Sequence, residues 1–193
     1  MTVWDEWGAL TRFLESARLA FARESRLWHS LELSDRDPVT ITAPRGSQSA
    51  YQVRLQQHLD AVDDEVTLLA SVLIHSYALV ESTACDLLGI DSRTAGGIEK
   101  WGHRLLESND RDWTDVVDGR SGAVEVAVIR NAFAHGGRTI TTKDADRLHK
   151  AGSLPRSAGD RVSLGYEELI RFRVRLRSIL RFGGADPTLA KRT

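Results

Sequence analysis

The sequence predicts an all-α protein, an antiparallel helical bundle of about five to six helices with one or two short extended segments. Apolar residues recur at alternating steps of three and four through most of the chain, and Tyr51 to Leu88 contains neither Pro nor Gly. Glycines stand where the periodic runs stop, at Gly89 and at Gly136-Gly137. The 193 residues suit one domain, 1–193, and 41% hydrophobic with 27% charged residues gives material for one core.

Trp4 to Leu33 reads as a long amphipathic helix. Trp7, Leu10, Leu14, Ala17, Phe21, Trp28 and Leu31 form its apolar stripe, with Glu24 as a polar interruption. Ser34 to Ser49 holds Pro38, Pro44 and Gly46 among polar residues and reads as a long loop, with Val39 to Thr42 extended within it. Tyr51 to Leu88 is one very long helix, or two with a bend near Asp60 to Asp64. Its second half, Val66 to Leu88, carries Leu69, Leu73, Tyr77, Val80, Ala84 and Leu87 on one face. Leu68, Val72, Leu79 and Leu88 widen that face, which marks a central helix. His75 and Glu81 are its polar exceptions and read first as satisfied boundary groups.

Asp91 to Gly97 is a turn and Ile98 to Leu106 a shorter helix. Asn109 to Gly119 is a polar loop pinned by Trp113, Val116 and Val117, after which Ser121 is the expected N-cap of the next helix. That helix runs through Val124, Ala127, Val128, Ile129, Ala132 and Phe133 to the Gly136-Gly137 stop. Another helix starts within Thr139 to Arg147, and Arg161 to Leu164 is extended. Tyr166 to Phe182 alternates basic and apolar residues over Arg171 to Arg177, which also fits a strand. Its length, its acidic start at Glu167-Glu168 and its basic end favour helix. Ala185 to Thr193 reads as a frayed tail.

Composition limits function only loosely. A net charge of -1 offers no global argument for nucleic-acid binding. Nearly all the cations are Arg, whose planar fork suits phosphate and carboxylate, and five fall between Arg171 and Arg181. A GC-rich coding sequence would give the same bias, so the residue count does not decide between the two. Arg171 and Arg175, with Arg138 after the glycine stop, are candidate contacts for an RNA backbone; a solvated, acid-paired face is the competing reading. The lone Cys85 excludes an internal disulfide. No basic start and apolar run marks a signal peptide, and no unbroken run of about 18 apolar residues marks a membrane span. A cytoplasmic protein without membrane association is expected.

Chemistry concentrates in Val128 to Gly137. Arg130, Asn131 and His135 interrupt a helix that is otherwise apolar apart from Glu125. A cation and an imidazole placed there must be paired, wet or used. Asn131 and His135 are four residues apart and share a face, whereas Arg130 lies about 140° from His135 around the helix. Spacing alone says little, because about two Arg–His pairs at these separations are expected by chance. The second such pair, Arg23 and His29, sits on a polar-faced helix and lacks this context. The other histidines, His58, His75, His103 and His149, show no metal-ligand spacing, so neither metal nor cofactor is expected. Gly96-Gly97 follows no strand, and no Ser stands in a nucleophile elbow.

Arg130-Asn131, four intervening residues and a capping His-Gly resemble the Arg-x4–6-His motif of the HEPN superfamily. The preceding Ser76-Tyr77-Ala78-Leu79-Val80-Glu81 segment is similar to the HEPN pattern, as is a final helix after a short extended piece. The helix order resembles that of the superfamily over most of Asp60 to Phe182. The resemblance implies a symmetric homodimer whose motif helices meet at the two-fold axis, so that two Arg and two His line one cleft. It implies a metal-independent endoribonuclease, a toxin or anti-phage effector, with RNA as substrate and an antitoxin or defence-system protein as partner. In such a site His135 is the general acid/base, Arg130 grips the scissile phosphate and Asn131 positions either the Arg or a phosphate oxygen. Tyr77 and Glu81 are then supporting groups. The alternative within the same superfamily is a catalytically silent dimer that binds nucleotide or another protein. One branch carries a Tyr two residues after the His; here Gly137 takes that place.

Overall fold

A computed structural model describes residues 2–31, 39–45, 49–153, 156–186 and 188. These residues form seven α-helices and one two-stranded sheet, so the chain is mostly helical as expected. The helices are α1 (Val3–Ser30), α2 (Leu55–Asp63), α3 (Glu65–Leu88), α4 (Ile98–Glu107), α5 (Gly119–Ala134), α6 (Thr142–Lys150) and α7 (Tyr166–Leu180). The strands β1 (Thr40–Arg45) and β2 (Ser49–Arg54) lie between α1 and α2 in the sequence. The chain divides into two compact units, Thr11–Leu68 and Met1–Leu10 together with Leu69–Thr193.

The unit Thr11–Leu68 departs most from expectation. Its antiparallel hairpin pairs Thr40 with Arg54 and Arg45 with Ser49, where a loop followed by the start of a helix was expected. Thr40, Ile41 and Thr42 are β-formers, and Tyr51 and Val53 favour strand equally. The absence of Pro and Gly after Ser49 is what made Tyr51 to Arg54 read as helix. The remainder of the expected loop, 34–38 and 46–48, lies outside the described residues. The expected bend falls where α2 ends, at Asp64, whose φ of -77° and ψ of 71° are not helical. Asp64 also caps the next helix, accepting the Thr67 backbone N–H at 3.1 Å. Glu24 explains its place in the apolar stripe of α1. It accepts the Trp28 indole N–H at 2.7 Å and lies 3.1 Å from His58 Nε2. These two contacts hold its carboxyl below the ordinary carboxylate range. Within this unit the stripe is only partly buried: Leu14 is inaccessible, Ala17, Phe21 and Trp28 are half-buried and Leu31 is exposed, while Phe13, Leu19 and Leu27, off the stripe, are exposed apolar residues.

In the other unit α5 packs against α4, α6 and α7. Gly122 to Ile129 is continuously buried, which is why its sequence is apolar around the whole helix apart from Glu125. Leu69, Leu73, Val80 and Ala84 of α3 are buried on the predicted face, while Leu87 is half exposed. By length and composition α3 is also apolar enough to cross a membrane, although polar residues interrupt its apolar run; 56% of that stretch is buried, as in a core helix. His75 is exposed, its Nδ1 2.8 Å from the Ser71 carbonyl oxygen.

α6 begins with a capping box in which Thr141 and Asp144 each bond the other's backbone N–H. The short extended pieces on either side of α6 meet in an isolated antiparallel bridge between Thr139 and Arg161. α7 is a helix throughout Arg171 to Arg177, and a π-helical turn, Arg181–Ala185, follows it. The expected tail is largely outside the described residues.

The loop between α4 and α5 is pinned as Trp113 suggested. The Trp113 ring lies over Gly102, and a β-carbon added there would stand 2.7 Å from its Cη2 atom. In an exposed helix, Gly→Ala gains about 1 kcal/mol. Here overpacking reverses the sign, and Gly102→Ala is expected to lose about 1–3 kcal/mol in urea unfolding.

Candidate functional site

α5 carries the site, and its start differs from the expected one. Asp118, not Ser121, is the N-cap, with a left-handed φ of 57°. Ser121 lies in the first turn, where its hydroxyl donates to the Asp118 carbonyl oxygen at 3.1 Å. Asp118 is left to accept from Arg175 Nε at 2.7 Å, an end-to-side link that sequence spacing cannot show.

The other end matches expectation. His135 is the C-cap, with its N–H returning to the Asn131 carbonyl at 3.1 Å. Gly136 then takes φ +77°, a conformation that costs a side-chain-bearing residue and not glycine. The N–H groups of Gly136 and Arg138 return to the carbonyls of Phe133 and Ala132 at 3.3 and 3.0 Å. The last carbonyls are thereby satisfied and the chain turns away sharply. The His135 ring stands exposed at this end with no hydrogen-bond or ion-pair partner among the described residues.

Arg130 is held differently. Its guanidinium lies 4.9 Å from the centre of the Tyr77 ring on α3, a cation–π stack. Nη1 donates to Asn131 Oδ1 at 2.9 Å. Nε is buried and has no acceptor among the described residues. A buried, unsatisfied donor on a cation is costly and is the polar atom here that most needs an acceptor. Tyr77 is itself fixed, edge-on to the buried Trp101 with ring centres 6.4 Å apart. Burial, reinforced by the charge of Glu81, pushes the Tyr77 hydroxyl above its ordinary range, with Arg130 and Arg147 opposing. Tyr77 therefore stays protonated and serves as a neutral platform.

The structure thus brings Arg130, Asn131 and Tyr77 together, with Glu81 one turn further along α3. It sets His135 at an exposed helix end, unbonded to any of them. Arg138 lies 5.9 Å from the Phe133 ring centre, at the same end. Arg171 is exposed. Arg175 is not an open cation: it pairs with Asp118 and, at 2.8 Å, with the buried Glu125. Most of the arginine run beside it is likewise engaged. Arg173 is buried under Trp7, with 4.6 Å to the ring, and Arg177 lies 5.5 Å from the Trp4 ring. Arg181 pairs with Asp186 at 3.2 Å.

One cationic group escaped the sequence reading. Arg147 of α6 forms a two-pronged ion pair with Glu99 of α4, Nε to Oε1 at 2.8 Å and Nη2 to Oε2. Burial, the largest single influence, would raise the Glu99 carboxyl, but the hydrogen bonds from Arg147, a backbone hydrogen bond and the charges of Arg147 and Arg120 together hold the group below its ordinary range. The signal was present in Lys143, Arg147 and Lys150, at steps of four and three on one short helix. No cluster of three or more His, Cys, Asp or Glu among the described residues could hold a metal ion. No protein-family model, curated protein or solved structure matches this chain.

Proposed function

We propose that this protein is a homodimeric, metal-independent endoribonuclease of HEPN type, a cytoplasmic toxin or anti-phage effector. One observation carries the reading. Arg130 is a guanidinium fixed from two sides, by the Tyr77 ring and by Asn131, yet it retains an unsatisfied Nε on the helix that ends in the open imidazole of His135. That is the equipment of phosphodiester cleavage: a rigid cation for charge on the phosphoryl oxygens, and a group that moves protons near neutral pH.

In this mechanism His135 of one chain takes the proton from a ribose 2′-OH. The 2′ oxygen attacks the adjacent phosphorus, and the P–O5′ bond breaks. The same His135, now an imidazolium, returns that proton to the departing 5′ oxygen. Arg130 holds the non-bridging oxygens, and Asn131 keeps Arg130 in register. The products are a 2′,3′-cyclic phosphate and a 5′-OH. Because Arg130 and His135 point about 140° apart on one helix, each active centre draws its Arg and His from different chains.

The test is incubation of purified protein with total RNA in EDTA, beside His135→Ala and Arg130→Ala. Cleavage by the wild type alone, leaving cyclic phosphate ends, is the expected result. RNA degraded equally by all three proteins, or by none, overturns the proposal.

A further inference from the structure

The face of α6 bearing Lys143, Arg147 and Lys150 opens on a surface cavity of about 460 Å³. Glu99 of α4, Arg120 in the first turn of α5, and Asp146 complete its lining. The cations are not equivalent. Arg147 is locked by Glu99 through Nε and Nη2, which fixes its plane and leaves Nη1 open. Arg120, Lys143 and Lys150 have no ion-pair or hydrogen-bond partner among the described residues. With Glu99 neutralised by Arg147, Asp146 is the remaining negative group among the lining residues. Unpaired cations grouped in a concave site next to a rigid guanidinium suit an anion with several oxygens.

Its position relative to the proposed cleavage centre matters as much. Arg120 and Asn131 are on the same helix, about 20° apart in azimuth and about 16 Å apart along the axis. A few nucleotides of single strand cover such a distance.

We propose that this cavity holds a backbone phosphate of the RNA strand, a few nucleotides from the bond cut at Arg130 and His135. Arg120, Lys143 and Lys150 supply its movable cations, and Arg147 its fixed wall. The assignment rests on the ribonuclease reading of the α5 centre. It makes α5 a ruler with a phosphate site near each end.

Binding can be read without cleavage by using a fluorescein-labelled, fully 2′-O-methylated single strand of about twelve nucleotides. Its affinity is followed by anisotropy between about 50 and 200 mM salt. Lys143→Ala/Lys150→Ala is expected to weaken binding about tenfold at the lowest salt. It should also flatten the slope of log K against log salt by about 0.7, because one phosphate charge of a single strand is no longer neutralised. Asp146→Asn, which removes the opposing charge and does not disturb the Glu99–Arg147 pair, is expected to tighten binding. Wild-type affinity and slope in the double lysine variant, weaker binding in Asp146→Asn, or no binding by the wild type each overturn the proposal. Displacement by AMP at the concentration at which unlabelled strand displaces also overturns it, assigning the cavity to a free phosphate ligand. The ribonuclease reading fails separately: these binding responses in a protein that leaves total RNA intact would sink cleavage and keep the phosphate site.

Discussion

An equal mixture of Arg130→Ala and His135→Ala proteins is expected to cleave RNA, although neither does alone. Each single variant should fall by about a hundredfold or more, since loss of one fixed transition-state donor costs about 10²–10³ and loss of a general acid/base about 10²–10⁴. If each centre takes Arg130 from one chain and His135 from the other, a mixed dimer keeps one intact centre and concentrates both lesions in the second. With random exchange half the dimers are mixed, so about a quarter of wild-type activity returns. The crossed control runs the other way. A chain carrying both substitutions, paired with a wild-type chain, has one lesion in each centre and is inactive. The two chains should be refolded together, with mixed dimers verified by mass. Were Arg and His to act within one chain, the single variants would stay dead when mixed and the wild-type mixed dimer would keep one centre. The wheel angle between positions 130 and 135 predicts the first pattern, and the reverse pattern would falsify the composite centre.

Helices were legible wherever burial on one face imposes a period. The faces of α3 and α5, the Gly136 stop and the bend before Asp64 all follow from side-chain spacing or from a backbone conformation that one residue type favours. Legibility failed in two physically distinct ways. The hairpin was missed because Tyr51 to Arg54 carries no punctuation, and local propensity cannot choose between strand and helix over so few residues. The roles of the cations were missed because charge says nothing about its partner. The run Arg171 to Arg181 read equally as an RNA-facing or an acid-paired face; Arg175 takes the second reading, with Glu125, whereas Arg173 and Arg177 lie against Trp7 and Trp4, far away in sequence. Lys143 and Lys150, in a chain poor in lysine, drew no notice, and like Arg120 they have no ion-pair or hydrogen-bond partner among the described residues. At the site itself Arg130, Asn131 and His135 stood out by their cost on an apolar helix. The stacking of Arg130 on Tyr77, and the orphaned Nε that gives it chemical interest, needed coordinates.

Arg175 separates a structural cation from a functional one, and removing it should have the larger effect on stability. Its Nη1 donates to Glu125 at 2.8 Å and its Nε to Asp118 at 2.7 Å. Glu125 is 7% exposed on the central helix, and its other cation, Arg156, is 3.7 Å away and also serves Glu168. In Arg175→Met the Glu125 carboxylate keeps only that longer contact. Removing one partner of a buried ion pair costs about 3–5 kcal/mol, because the charge left behind has lost its compensation without regaining water. Arg156 and the exposure of Asp118 place the expected cost near the low end, about 3 kcal/mol. For a chain of this size that is a fall in Tm of about 10 °C. Arg171→Ala, at an exposed position, should stay within about 0.5 kcal/mol of wild type. The variant Arg175→Met/Glu125→Leu completes the argument. With both buried charges replaced by apolar groups, the desolvation cost disappears and most of the stability returns. Thermal unfolding of the three variants distinguishes the cases. An unchanged Tm in Arg175→Met, or a double variant no more stable than the single one, would show that the Glu125 pair does not hold α5 to α7. Arg175 would then be free to serve the RNA backbone after all.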